Sequence, residues 1–436
     1  MPAYQNLNNK ILNKSATVCI AGLGYVGLPL AKTIIDAGFE SVIGLDIDIE
    51  KVNSINKGKE IINSIPSTEM KALIKKGLYA TSDFSHLQKA DILIICVPTP
   101  INKYKEPDLS YVISTLELSK RYIHKEMLIS LESTTWPGTT EEVISELLEE
   151  WKFKVGKDIF LGYSPEREDP GNDKYTTSSI PKVVSGHTKE CLKIVESFYS
   201  SFIETLVPVK NTRTAELVKL VENIQRSVNI GLMNELKVVS EKMDIDIFEV
   251  IKAAATKPFG FTEYYPGPGV GGHCIPVDPF YLTWKAKEYD IHTKFIELAG
   301  EVNDSMPNYV VDKVVEVLNK KKISLSLSKI LILGLSYKKN IGDLRESPNL
   351  KILESLKSSG SKVSYSDPFF KEIPSLRDYS LNMKSVSLAP KTLNSFDIVL
   401  LLTDHDEFDY TMIKKYSNYI VDVRGKFSQN KKISYA

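Results

Sequence analysis

Cys274 stands in a segment built unlike the rest of the chain. Residues 265–279 read YPGPGVGGHCIPVDP, so the thiol follows Gly267, Gly269, Gly271 and Gly272 and precedes the carboxylate of Asp278. Glycines strip side chains from the approach and let backbone N–H groups and a ligand come close, while Pro266, Pro268, Pro276 and Pro279 restrict φ and stiffen the path. Ordering such a loop costs conformational entropy, which favours a site over a spacer. Alone, the segment fits a tight turn with an inert thiol as well as the loop of a nucleophile, and the second reading needs partners elsewhere. Lys219 and Asn223 offer a cation and an amide at i, i+4 on one helical face, among Leu220, Val221 and Ile224. Glu166, Arg167, Glu168 and Asp169 follow an apolar run in SPEREDPG. That pattern suits a solvated loop, or a carboxylate held in a cleft as a general base.

A second set of residues predicts a phosphate-binding turn. Residues 16–21, ATVCIA, form an apolar run that meets Gly22-Leu23-Gly24-Tyr25-Val26-Gly27 and then the helical pattern LPLAKTIIDAG. A strand, GxGxxG and helix in that order set backbone N–H groups and a helix N-terminus where a pyrophosphate sits. The next strand, 41–45, ends in Asp46, about 20 residues beyond the glycines, where an acid bonds a ribose 2′-hydroxyl and repels a 2′-phosphate. NAD is therefore the expected cofactor. Strands at 92–97 and 127–131 end in hydroxyl-rich turns, Pro98-Thr99-Pro100 and the run from Ser133 through Thr134 to Thr140. Ligands bind at the carboxyl ends of parallel strands, so these turns are expected to face the cofactor.

The elements that carry these groups follow from periodicity. Strands at 159–163, 180–185 and 204–209 complete an α/β unit over residues 1–209. From Thr214 apolar residues recur at helical spacing for about eight turns, and helices continue through 247–256, 281–289 and 295–318. Residues 210–320 thus read as a helical domain that holds the cysteine loop and forms a homodimer or higher homo-oligomer. A strand at 328–333 opens a second α/β unit over 321–436, where Lys338, Lys339 and Arg345 near one strand end and Arg424 after another suit phosphate. The expected fold is α/β, with two Rossmann-like doubly wound parallel-sheet domains joined by a long central helix and helical domain.

Composition narrows the function classes. The 436 residues carry 55 Lys+Arg and 55 Asp+Glu, and this zero net charge argues against a broad grip on nucleic acid or on a membrane surface. Hydrophobic residues at 42% and charged residues at 25% are those of a soluble globular protein. No apolar run reaches the ~18 residues of a membrane span, and the start MPAYQNLNNK lacks a signal-peptide pattern, so a cytoplasmic protein is expected. Cys19, Cys96, Cys191 and Cys274 have no paired spacing, which fits reduced thiols and no metal site.

GLGYVGLP, CVPTP, ESTTWPGTT, SPEREDPG, AELVKLVEN, GPGVGGHCIPVDP and LRESP occur in the order found in the UDP-glucose/GDP-mannose dehydrogenase family, which the chain resembles over nearly its whole length. SPERxxPG and GGHCIPVDPFYLTWKA resemble the branch acting on N-acetylated sugar nucleotides, above all UDP-N-acetylglucosamine. Glucose-type members carry a second glutamate where this chain has Pro170, so no role resting on that acid carries over. The resemblance implies oxidation of a sugar C6 hydroxyl to a carboxylate with two NAD, serving surface polysaccharide such as capsule or lipopolysaccharide. It implies that Cys274 captures the aldehyde as a thiolate, that Lys219 and Asn223 stabilise alkoxide and oxyanion forms, and that Asp278 manages protons with Lys219 and a water held by Thr134. Glu166 is implicated in thioester hydrolysis.

For binding, the resemblance assigns Gly22, Gly24, Tyr25, Val26, Gly27, Asp46, Pro98, Thr99, Thr134 and Arg345 to NAD. It assigns Glu166, Arg167, Lys219, Asn223, Tyr264, Tyr265, Gly267, Gly271, Lys338 and Arg424 to the UDP-sugar. Arg167 or His273 is expected to accommodate the acetamido group. The mannosamine and galactosamine nucleotides differ from the glucosamine one only in the position of one substituent, and UDP-glucose is a further alternative.

Overall fold

Short runs of β-branched and aliphatic residues become strands buried on both faces. This holds for β1 (Val18–Ala21), β2 (Val42–Leu45), β4 (Ile92–Ile95) and β5 (Leu128–Leu131). Such burial belongs to parallel sheets covered by helices on each side. The computed structural model describes residues 3–62, 65–167, 175–376 and 379–436. In it these strands join β3 (Leu78–Thr81), β6 (Phe160–Tyr163), β7 (Lys182–Gly186) and β8 (Leu206–Pro208) in one sheet of order β3-β2-β1-β4-β5-β6-β7-β8. The order reverses at β1, which pairs in parallel with β2 on one side and β4 on the other.

The doubly wound parallel arrangement holds from β3 to β6. β7 then runs antiparallel to β6, with Gly162 opposite Gly186, and β8 follows β7 in parallel. The helix Lys189–Tyr199 presses on this junction: a Cβ on Gly186 would lie 2.1 Å from the Leu192 nitrogen, and one on Gly162 would lie 2.4 Å from the Val195 side chain.

A second sheet, all parallel, has the order β10-β9-β11-β12-β13, with β9 at Lys329–Leu333, β10 at Lys362–Ser366, β11 at Ile398–Leu401, β12 at Ile420–Asp422 and β13 at Ile433–Tyr435. It repeats a detail of the first. Asp46 after β2 accepts the Leu23 N–H at 2.9 Å, and Asp367 after β10 accepts the Leu335 N–H at 2.7 Å. The expected Rossmann-like layout without GxGxxG is thus realised down to the acid that holds the first turn. β3, β13 and the helix Ala3–Leu12 were not anticipated; LYAT and ISY are short strands at the two sheet edges, too brief for a periodic signal.

Two long helices, Thr212–Lys242 and Lys294–Lys320, approach closely where Gly231 faces Ala299, to which a Cβ would come within 3.3 Å. Packing divides the chain into two units, residues 1–222 with 280–291 and residues 223–279 with 292–436. No helix among the described residues is long and apolar enough to cross a membrane.

Asp422 ends β12 fully buried, accepting the Arg424 N–H at 2.8 Å and the Phe427 N–H at 2.8 Å, and burial pushes its pKa up to about 6. An unfolded aspartate titrates near ~3.9. Because the folded value is the higher one, the stability tied to this proton is complete below pH ~4 and is lost as pH rises through about 6. In Asp422→Asn, unfolding free energy measured in urea between pH 4 and 7 should lose less with rising pH than in the parent, by up to roughly 3 kcal/mol. Identical pH slopes would remove the assignment.

Candidate active site

The turn between β1 and the helix Gly27–Asp36 has the backbone a pyrophosphate needs. Gly22 has φ +98°, and a Cβ there would lie 2.7 Å from the Cys96 carbonyl oxygen; one on Gly27 would lie 2.0 Å from the Gly22 carbonyl oxygen. Packing demands those two glycines. Gly24 is different, because no heavy atom of the described residues, its own chain neighbours aside, lies within 4 Å of the position its Cβ would take, leaving open space at the middle glycine. Phosphate oxygens can approach the backbone there. The helix begins after Tyr25 and Val26, and Val26 at its N-cap makes no side-chain capping bond; in its first turn the Leu28 N–H is taken by the Gly24 carbonyl at 3.2 Å and Pro29 has no N–H. Asp46 is 8% exposed and pairs with Lys51 at 2.8 Å as well as with Leu23, a cation the sequence reading did not foresee. After β4, Pro98 is exposed and Thr99 buried. Open glycine, uncapped helix and acid together fit a dinucleotide.

Two buried acids hold the neighbouring turns. Glu216 accepts from the Gly138 N–H at 2.6 Å, the Thr140 N–H at 2.8 Å and the Thr140 hydroxyl at 2.6 Å, fixing the turn that starts at Thr134. Burial raises its pKa. Glu132 pairs with Lys182 at 3.0 Å and accepts the Tyr199 hydroxyl at 2.5 Å. A small half-open hollow of about 20 Å³ is lined by Val26, Glu132, Glu166, Arg167 and Lys182, among others. Lys219 donates to the Glu166 carbonyl oxygen at 2.6 Å and lies 3.5 Å from its Oε2. The structure thus joins two of the predicted residues through a backbone oxygen. Arg167 is taken up by Glu222 at 2.5 Å and the Pro181 carbonyl at 2.7 Å. Glu168, Asp169, Pro170 and Gly171 lie outside the described residues.

In the other unit, Asn223 donates to the Asp278 carboxylate at 2.5 Å, and Asp278, 1% exposed, returns its own N–H to the Cys274 carbonyl at 2.8 Å. Amide and acid are therefore bonded side chain to side chain, and the acid is tied to the cysteine through backbone. Cys274 is half-buried with His273 beside it, whereas Cys19 is wholly enclosed and burial pushes its thiol up to about 12. The glycines carry the loop past other backbone. The Gly272 N–H donates to the Arg345 carbonyl at 3.0 Å, and a Cβ on Gly271 would lie 2.5 Å from Tyr337. Hence GGHC and LRESP, distant in sequence, are docked on each other. The exposed Arg345 guanidinium is forked onto Asp343, with its shortest bond at 2.7 Å, and Lys338 is half-buried next to Tyr337. Arg424 donates to the Leu402 carbonyl at 2.6 Å, and its Nη1 would be 2.9 Å from a Cβ on Gly267. Tyr264 donates its hydroxyl to Gln225 at 2.7 Å, while exposed Tyr265 donates to Glu263 at 3.0 Å.

Three successive stretches match one family: its NAD binding domain over residues 16–203, its central domain over 213–305 and its UDP binding domain over 331–429. The chain belongs to the UDP-glucose/GDP-mannose dehydrogenase family. It is an NAD-dependent nucleotide-sugar dehydrogenase, and the glycine turn lies in the NAD binding domain. It is 37% identical to Protein CapL of Staphylococcus aureus, over 94% of this chain and 95% of that one. It is 35% identical to UDP-N-acetyl-D-glucosamine 6-dehydrogenase of Pseudomonas aeruginosa, over 91% and 92%. Among solved structures, a UDP-D-ManNAc dehydrogenase from Pyrococcus horikoshii superposes with a TM-score of 0.86 at 30% identity, covering 96% of this chain and 98% of that one.

Sequence reasoning missed Glu132, Lys182 and Glu216, although Glu132 opens ESTTWPGTT. Breaking a buried ion pair on one side leaves a bare charge, at a cost of roughly 3–5 kcal/mol. Lys182→Met should lose about that much, and adding Glu132→Gln should return most of it. Urea unfolding of the parent, single and double variants reads the difference, and a double variant no more stable than Lys182→Met would show that the pair is not the cause.

Proposed function

We propose that the enzyme oxidises the C6 hydroxyl of a UDP-N-acetylhexosamine to the carboxylate, with UDP-N-acetylglucosamine as first candidate, consuming two NAD and one water. The bond of Asn223 to Asp278, on the turn that starts at Cys274, supports this reading, because the acid lies one helical turn beyond the candidate nucleophile along the chain and has an amide donor bonded to it. NAD, when bound, accepts a hydride from C6 in each oxidation. Gly22, Gly24, Tyr25, Val26, Gly27, Asp46, Pro98, Thr99 and Thr134 hold it, and Arg345 meets its pyrophosphate by exchanging Asp343 for phosphate oxygens.

Lys219 steadies the alkoxide, and Asp278 with Lys219 and a water at Thr134 takes up its proton. The Cys274 thiolate then adds to the C6 aldehyde, forming a C–S bond while Asn223 and Lys219 hold the oxygen that becomes negative. Loss of the second hydride turns this thiohemiacetal into a thioester. Glu166 orients the water that attacks it; the C–S bond breaks, the thiolate leaves and the carboxylate forms. Lys338 and Arg424 bind the UDP phosphates, and the backbone from Tyr264 to Gly267 with Gly271 lines the nucleotide. Glu166 and Arg167 border the sugar, where Arg167 or His273 accommodates the acetamido group.

Residues 1–209, 210–320 and 321–436 serve as cofactor, dimerisation and UDP-sugar parts. Exposed Leu232, Leu236, Val239 and Met243 make an apolar helical stripe suited to a second copy in a homodimer. The uronate supplies a surface polysaccharide assembled from the cytoplasm. UDP-N-acetylmannosamine is the second reading, supported by the name of the Pyrococcus neighbour.

NADH formation measured with UDP-N-acetylglucosamine, UDP-N-acetylmannosamine, UDP-N-acetylgalactosamine and UDP-glucose should favour an N-acetylated nucleotide and give two NADH per sugar. One NADH per sugar would replace this reading with a two-electron dehydrogenase. Cys274→Ser should abolish steady turnover, and normal NADH production by that variant would refute the covalent route.

A further inference from the structure

The peptide of Gly267 is gripped from the long helix on both of its polar sides. Asn234, wholly buried, accepts the Gly267 N–H at 2.9 Å. Its amide cannot turn round, because its nitrogen donates to Asn303 at 2.9 Å and Asn303 in turn donates to the Ser227 carbonyl at 3.1 Å. Lys237, one turn on and 3% exposed, lies 3.5 Å from the Gly267 carbonyl oxygen. It also lies over the face of Tyr309, 5.0 Å to the ring centre, and the Tyr309 hydroxyl is buried with no hydrogen-bond partner among the described residues.

A hydrogen bond of that length is at the edge of the useful range, so the ammonium is poorly satisfied. The charges facing it are unfavourable on balance. Burial lowers its pKa to about 7, Arg424 and Lys313 repel it, and Glu241 on its own helix attracts it while also pairing with Lys313. This buried cation beside a second cation shares the attraction of Glu241 with Lys313, so negative charge is in short supply there. A diphosphate brought in by a ligand supplies it.

We propose that Asn234 and Lys237 are positioning residues: they clamp the Gly267 peptide in its nucleotide-binding shape, and Lys237 adds a buried positive charge that the diphosphate of the UDP-sugar stabilises. The identity of the ligand rests on the function proposed above; the clamp does not. Binding favours the protonated lysine, so affinity falls as pH rises through about 7.

UDP itself is the probe. By calorimetry its dissociation constant should rise between pH 6 and 8.5 in the parent, and Lys237→Met should weaken binding about tenfold at pH 6 and flatten that rise. In turnover the same variant should raise KM for the sugar nucleotide about tenfold, with kcat and the KM for NAD within about twofold. Asn234→Ala should speed hydrogen exchange of the Gly267 amide about tenfold or more. Unchanged UDP affinity and pH profile in Lys237→Met overturn the charge; unchanged Gly267 exchange in Asn234→Ala overturns the clamp. A chain that turns over no UDP-sugar yet keeps the lysine-dependent UDP binding would discard the proposed reaction and keep this inference.

Discussion

The cysteine loop has no room for side chains where it crosses the C-terminal turns. Gly271 and Gly272 run against Tyr337, and Gly272 is bonded to the Arg345 carbonyl, while Gly267 passes beside the Arg424 guanidinium. The residues that would bind phosphate and the residue that would attack carbon are therefore set by one backbone path. A Cβ at Gly271 would have to push aside Tyr337 and the Glu346 carbonyl together. Rigidity of this kind suits covalent chemistry, in which a misplaced nucleophile forfeits much of its rate.

In both units, charge is stored where water is scarce. Glu132, Glu216 and Asp278 are nearly inaccessible, and each has partners that make burial tolerable: an ion pair, a set of N–H and hydroxyl donors, and an amide. Lys219 follows the same rule through the Glu166 carbonyl. Lys237 is the departure, with one long bond and a ring face.

The two sheets use one device for different ends. Each first turn is held by an acid after the neighbouring strand, Asp46 or Asp367. Asp46 meets Lys51, whose side chain is 29% exposed, whereas Asp367 is closed in by the fully buried His405 at 3.5 Å. Gly24 leaves open space in the first turn, and in the second, which lacks GxGxxG, a Cβ on Gly334 would lie 2.5 Å from Thr403. A dinucleotide suits the first, and the second is the domain that matches UDP binding.

The fold class, the glycine turn with its acid, and the candidacy of Cys274 were legible in the sequence because each rests on local order. Periodicity marks strands and helices, and GxGxxG and GGHC are contiguous. Tertiary structure alone decided the pairings: Asn223 with Asp278, Lys219 with a backbone oxygen of Glu166, Arg345 with Asp343, and Glu216 with the turn at Thr140. It also decided that β7 reverses against β6. Hydrogen bonds and ion pairs depend on where distant segments lie to within a few tenths of an ångström, and no residue pattern along the chain carries that distance. For the same reason Asn234 and Lys237, two polar residues in a helix, showed nothing of their hold on Gly267 until the chain was folded around them.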